Sequence, residues 1–162
     1  MDKRVVVMSI KPEYVTKIFN GSKRYEFRKT LTKDFCSTVL IYATAPVGAI
    51  VGGFVCGSIY EDEPERVWGL CHRYAGISQD EFYNYFEGRN KAYAYRVLSS
   101  FCFLPCFKLE DLGIKKAPQS FCYGSVKTDS KLFKVLKSNL LDLQALEETP
   151  SSAKNKIANF LK

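Results

Sequence analysis

The sequence predicts an α+β fold: a small, partly closed β-barrel with helices after the first strand and in a central insertion, and further helix at the C-terminal end. Three observations lead there. Apolar runs rich in β-branched residues recur along the chain but differ in length. Glycines lie inside one of them, AIVGGFVCGSIY at residues 49–60, and interior glycines mark a bulge, a barrel bend or a close backbone approach. Helix signals interrupt the strands near the start and the middle, and take over after Lys127.

Each element has its own local reason. VVVMSI, Val5–Ile10, reads as a buried strand. Pro12 suits the first turn of a helix, with Ser9 or Lys11 before it and Gly21 just past its end. Tyr14, Val15, Ile18 and Phe19 give that helix an apolar face. Residues 22–28 read as a strand, with Lys23, Tyr25 and Phe27 on one face and Arg24, Glu26 and Arg28 on the other. STVLIYATA (37–45) and the glycine-bearing run at 49–60 are strands joined by the turn Pro46-Val47-Gly48. The glycines of that run do not form a phosphate loop, because no Gly-Lys-Ser/Thr follows.

A helix from about Pro64 to Tyr74 has an acidic front and Gly76 beyond its end. Ser78 followed by Glu81 is a capping box, opening a helix that carries Phe82, Tyr85 and Phe86 and stops at Gly88. Residues 90–105 form a long strand, LEDLGI a turn or short helical connection, and Pro118–Ser125 the last strand. Beyond Lys127, Leu132, Val135, Leu136, Leu140, Leu143 and Leu146 follow helical spacing, with Lys131, Lys134 and Lys137 on the solvated side. Thr149-Pro150-Ser151-Ser152 breaks this run before a last short helix at Ala153–Leu161.

The 162 residues fit one domain plus a modest extension, and 46% hydrophobic residues suffice for a core without staples. No window approaches the roughly 18 apolar residues of a membrane span. The first apolar run is too short for a signal-peptide core, so the expectation is a cytoplasmic protein that does not enter membranes. The six cysteines are scattered and the single histidine, His72, lies beside Cys71. Structural metal sites use paired short spacings, and only Cys102 and Cys106 lie close together, so no metal and no cofactor are expected and the thiols should be reduced. A net charge of +7 and a pI of about 9.1 favour polyanionic partners, nucleic acid first.

The stretch SIKPEYVTKIFNGSKRYEFRK resembles the opening signature of ASCH domains, a branch of the PUA-like superfamily. The matching elements are Ser9-Ile10-Lys11-Pro12, then Gly21, Lys23, Glu26 and Arg28. LIYATAP followed by AIVGGFVCGSI, Gly88, the AYAYRV strand and Pro118-Gln119-Ser120-Phe121 fit the same order, so the resemblance spans residues 4–125. It implies an ASCH/PUA-like domain over 1–126, with 127–162 as a helical extension packed on it or docking a protein partner. It also implies a cleft lined by the first helix and the Lys23–Arg28 segment. PUA-like domains are mostly RNA binders or readers of modified bases. ASCH proteins are similar to RNA-binding regulators, and some small members resemble amidohydrolases that act on N4-acetylcytidine through a lysine, a threonine and a glutamate. Lys23 keeps the lysine of that pattern, while Glu26 stands where the threonine would be.

Read alone, the residues also allow a plain surface ion pair at Glu26, a cap at Ser9 and a core face at Tyr93 and Tyr95, and it is the resemblance that favours a site at Glu26. Glu26 is the one acid among Lys23, Arg24, Arg28 and Lys29, which suits a carboxylate fixed by charge-assisted hydrogen bonds and able to accept from a base amino group. Lys23 meets the same ligand only if it lies in the helix-to-strand turn or beside a bulge. There it contacts phosphate or, if the protein is an enzyme, forms the chemical pair with Glu26. Ser9 and Lys11 stand near a helix N-terminus, where amides bind anions. Lys91, Tyr93 and Tyr95 share a strand face that suits backbone contact and base stacking. Gln119 and Ser120 add polar groups at the same cleft. The expected ligand is RNA or a nucleotide.

Overall fold

The computed structural model describes residues 2–162. The strands are β1 (Asp2–Ile10), β2 (Tyr25–Arg28), β3 (Thr38–Ala43), β4 (Ala49–Asp62), β5 (Ala92–Phe107) and β6 (Phe121–Lys127). The helices are α1 (Pro12–Phe19), α2 (Pro64–Cys71), α3 (Gln79–Tyr85), α4 (Lys131–Ala145) and α5 (Ser151–Leu161). All six strands form one sheet in the order β2-β5-β4-β3-β1-β6. β1 pairs parallel with β3, and the other neighbours are antiparallel.

The central strands are buried on both faces, which is why they read as continuous apolar runs. Alternation sorts their side chains. Val5, Val7, Leu40, Ile50 and Val55 face one apolar cluster, which also holds Leu132, Phe133, Leu136 and Leu140 of α4 and Ala153 and Ile157 of α5. Val6, Met8, Ile10, Val39, Ile41 and Phe54 face a second cluster with Val15 and Ile18 of α1. A third gathers Phe27 with Val67 and Cys71 of α2 and Phe82 of α3. The C-terminal leucines are thus spent on the sheet, while Leu141 and Leu146 stay exposed.

The expected barrel is not what forms: the sheet is open, with β2 and β6 as its edges. β2 is only four residues long. In place of a ladder to β1, its last residue, Arg28, donates from Nη2 to the Ser9 carbonyl at 2.9 Å. The glycine-bearing strand does bend. β4 and β5 pair along their length with several register shifts, and an added Cβ on Gly53 would lie 2.3 Å from the Val39 carbonyl oxygen. Two boundaries also move. The expected helix at 64–74 ends at Cys71 and tightens into a 3₁₀ turn over His72–Tyr74. The expected strand at 22–28 starts only at Tyr25. The backbone N–H groups before it are taken elsewhere, Lys23 to Lys17 O at 2.9 Å and Arg24 to Tyr74 O at 2.8 Å.

Leu136 is fully buried in the cluster shared by α4 and the sheet. Leu136→Ala should cost about 2–5 kcal/mol of unfolding free energy in urea denaturation. A loss well under about 1 kcal/mol would mean that α4 lies outside the cooperative core.

Candidate functional site

The gap between β2 and the end of β1 opens into a cavity of about 600 Å³. Three charged side chains sit at its floor almost out of solvent, with Lys23 2%, Glu26 5% and Arg28 6% exposed. Arg28 Nη1 donates to Glu26 Oε1, and the Lys23 ammonium lies 3.7 Å from Glu26 Oε2. That second distance is too long for a hydrogen bond. Glu26 Oε2 and Arg28 Nε are accordingly buried without a hydrogen-bond partner.

Lys23 stands in the turn before β2, which resolves the facing problem posed by a regular strand. Its Nζ donates to the Ala75 carbonyl at 2.6 Å. It also lies 4.8 Å from the centroid of the Phe27 ring and 5.4 Å from that of Tyr14. Lys17 Nζ donates to the next carbonyl, that of Gly76, at 2.9 Å. Gly76 has φ +69°, and a Cβ added there would lie 2.5 Å from the Lys23 Cβ. One carbonyl and one missing side chain therefore hold the buried lysine. Burial lowers its pKa from 10.5, the Glu26 carboxylate opposes that, and Arg28 and Lys17 add to it.

Ser9 is tied across the cleft rather than capping α1. Its hydroxyl donates to Pro118 O and its N–H to Ser120 O at 3.0 Å. Lys11 is the N-terminal cap residue of α1, without a side-chain cap bond, and is exposed at the rim. The structure brings together Ser9, Lys11, Lys23, Glu26, Arg28, Gln119 and Ser120 of the expected residues.

Four expected residues do not join them. Arg24 precedes β2 and turns away, its guanidinium 4.1 Å from the centroid of the Tyr74 ring. Lys91 is exposed and ion-paired with Glu61 at 2.8 Å. Tyr93 packs against the second apolar cluster. Tyr95 is buried there too, its hydroxyl accepting from the Thr32 N–H at 2.9 Å. A strand face that mixes tyrosine and lysine is here a core face with a wet end.

The cavity also takes Tyr14 from α1 and Glu81, Asn84 and Tyr85 from α3. In the sequence these read as an apolar helix face and a capping box, and both readings hold locally. Ser78 accepts from the Glu81 N–H at 3.1 Å while Glu81 Oε2 accepts from the Ser78 N–H at 2.9 Å. Burial raises the Tyr14 pKa, helped by Glu81, Glu13 and Glu26, and burial likewise raises that of Tyr85, so both phenols stay protonated donors. Burial pushes the thiols of Cys56 and Cys71 up to about 12. No group of three metal-ligating side chains and no helix long and apolar enough to cross a membrane occurs among the described residues.

A mixed α+β fold whose charged cleft opens beside the first helix defines a class, and the comparisons name it. The ASCH domain model matches residues 8–100, and the chain belongs to the ASCH-domain family. It is 33% identical over 95 residues to an ASCH domain-containing ribonuclease of Zymomonas mobilis, covering 58% of this chain and 64% of that one. It is 26% identical over 119 residues to the large ribosomal subunit protein uL22 of Ureaplasma parvum serovar 3, of which it spans 38%. The crystal structure of ASCH from Zymomonas mobilis superposes with a TM-score of 0.67 at 26% identity, covering 86% of this chain and 94% of that one. Tyrosine-to-phenylalanine and serine-to-alanine mutants of that protein superpose with TM-scores of 0.67 and 0.68, at 27% and 28% identity and over 74% and 75% of this chain.

Gly76→Ala should force Lys23 out of its seat, because the added methyl meets the lysine stem and the backbone needs positive φ. The expected loss is about 1–3 kcal/mol in denaturant unfolding, a range set by overpacking. Wild-type stability would contradict this packing. The lysine also sets a pH dependence. A group that gives up its proton more easily folded than unfolded adds stability as pH rises from its folded pKa towards 10.5. The unfolding free energy of wild type relative to Lys23→Met should therefore grow over that window in urea titrations. A flat difference would show that Lys23 titrates normally.

Proposed function

We propose that this ASCH protein binds RNA, holding one nucleotide in the cavity through a carboxylate that reads the base. The observation that carries this reading is a pair of unsatisfied atoms on two residues that line the cavity: Glu26 Oε2, a buried acceptor with no donor, and Arg28 Nε, a buried donor with no acceptor. Isolated buried polar atoms are costly, and a base edge offering an amino hydrogen beside a ring nitrogen or carbonyl satisfies both. Lys23 and Arg28 fix the carboxylate so that it does not reorganise on binding. Lys11, exposed at the cavity rim, holds the phosphate. Tyr14 and Tyr85 supply aromatic surface and phenolic donors in place of the 93–95 strand. The name of the Zymomonas ribonuclease and the chain's net charge of +7 support RNA as the ligand class.

A second reading is an enzyme, a ribonuclease or a nucleoside amidohydrolase, working through Lys23 and Glu26. The direction of the Lys23 pKa and its place beside Glu26 in the cavity favour it, since a lysine that gives up its proton more easily is more available as a base.

One sample tests both. Binding of a short single-stranded RNA is measured across salt concentrations while products from RNA and from N4-acetylcytidine are followed. Binding should weaken with salt at a log–log slope of about −0.7 for each phosphate contacted. Glu26→Gln should lose about tenfold or more in affinity, the scale of one charged hydrogen bond, with its fold checked by thermal melting. Absent RNA binding, or binding that Glu26→Gln leaves intact, would overturn the first reading. Turnover lost in Lys23→Ala would establish the second.

A further inference from the structure

A groove of about 440 Å³ lies on the other side of Lys23, walled by the end of α1, the start of β2, the middle of β5 and the link between α4 and α5. Lys23 borders both this groove and the cavity. Its polar groups are distinctive. Arg24 is held by its backbone, whose N–H donates to Tyr74 O at 2.8 Å and whose carbonyl accepts from Val97 N at 2.8 Å. Its guanidinium lies over the Tyr74 ring and spends Nε on the Gly21 carbonyl at 3.2 Å. Stacking of this kind leaves the Nη edge open to a planar or tetrahedral anion.

Arg96 pairs across the strands with Tyr25 and lines the same groove as Arg24. Among the described residues neither arginine has a carboxylate within salt-bridge range. Ser99 and Ser100 add hydroxyls, and the one acid on the wall is the exposed Glu148.

We propose that this groove is a second anion subsite, which takes the phosphate of the nucleotide next to the one in the cavity, so that the ligand is an oligoribonucleotide rather than a free nucleoside. The inference rests on the RNA-binding reading above. Two unpaired arginines, one stacked and anchored, form a forked anion site, and a nucleic-acid strand carries its next charge one residue along. Lys23 lines both sites, which sets them side by side. Glu148 lies outside the family match, so the C-terminal segment tunes the subsite by repulsion.

The test compares a ribonucleoside monophosphate with a trinucleotide of the same base by calorimetry, for wild type, Arg96→Gln, Arg24→Gln/Arg96→Gln and Glu26→Gln. The trinucleotide should bind wild type about tenfold tighter than the monophosphate, the scale of charge-assisted hydrogen bonds. Arg96→Gln should shrink that gain while leaving monophosphate affinity unchanged, and the double variant should abolish it. The salt slope for the trinucleotide should fall in magnitude by about 0.7 as one phosphate contact is lost. Glu148→Gln should strengthen trinucleotide binding.

A trinucleotide that gains nothing, or a gain that survives the double variant in a protein with wild-type melting, overturns the subsite. If that happens while Glu26→Gln still abolishes monophosphate binding, the cavity reading stands alone. If neither ligand binds wild type, both fall together.

Discussion

Everything at the cleft depends on three charges buried where no fold needs them. Taking Lys23, Glu26 and Arg28 out of water costs roughly several kcal/mol per ion, and apolar side chains of similar volume would serve stability as well or better. The chain nevertheless builds its surroundings around them. Ala75 gives the lysine a carbonyl, Gly76 gives it room, and Phe27 and Tyr14 give it ring faces. The pairing is also incomplete, since one carboxylate oxygen and one guanidinium nitrogen have no partner. A network held this firmly and left open on one side is what a preorganised recognition site requires, because the ligand then meets groups that need not move.

The open sheet and the buried charges belong to the same constraint. Had β2 paired with β1, their backbone groups would have satisfied each other and filled the gap. Instead Arg28 spans it with a guanidinium, whose Nη1 donates to Glu26 and to the Phe27 carbonyl of its own strand and whose Nη2 donates to Ser9. The edge that remains is short and covered by α3, which limits its exposure to other strands. On the far side of the sheet α4 and α5 close the other apolar face. The site thus occupies the gap beside β2, one of the two unpaired edges of the sheet.

What the sequence shows well is local. Pro12 and Gly21 bracket α1, and Ser78 and Glu81 cap α3, because these signals act over three or four residues and tertiary packing has no reason to override them. The leucine spacing of α4 is legible for the same reason. Residues 9–28 carry most of the cavity floor, and a family pattern ties them together. What stays hidden is non-local. Alternation put Lys91, Tyr93 and Tyr95 on one face but said nothing of what faces it, and the answer is core at one end and Glu61 at the other. Arg24 and Arg28 share strand parity, yet β2 begins only at Tyr25, and Arg24 bonds through its N–H to the Tyr74 carbonyl and stacks on the Tyr74 ring, which sends it to a different groove. Tyr85 and Asn84 enter the cavity only because α3 folds over it.

That division of Arg24 from Arg28 changes how the basic stretch works. A strand face carrying both would present one diffuse patch, whose attraction to polyanions falls off within a Debye length and carries no information about length or base. Split across Lys23, the same charges become two pockets of different character. On the RNA-binding reading, the pocket with the fixed carboxylate would discriminate a base edge. The groove, whose two arginines have no carboxylate partner among the described residues, would answer to charge. Base discrimination and phosphate counting then fall to separate residues, so substitutions in one pocket should shift sequence preference and those in the other should shift salt dependence. A single surface patch would mix the two effects in every variant, and that difference in how mutations sort is the physical signature of the arrangement.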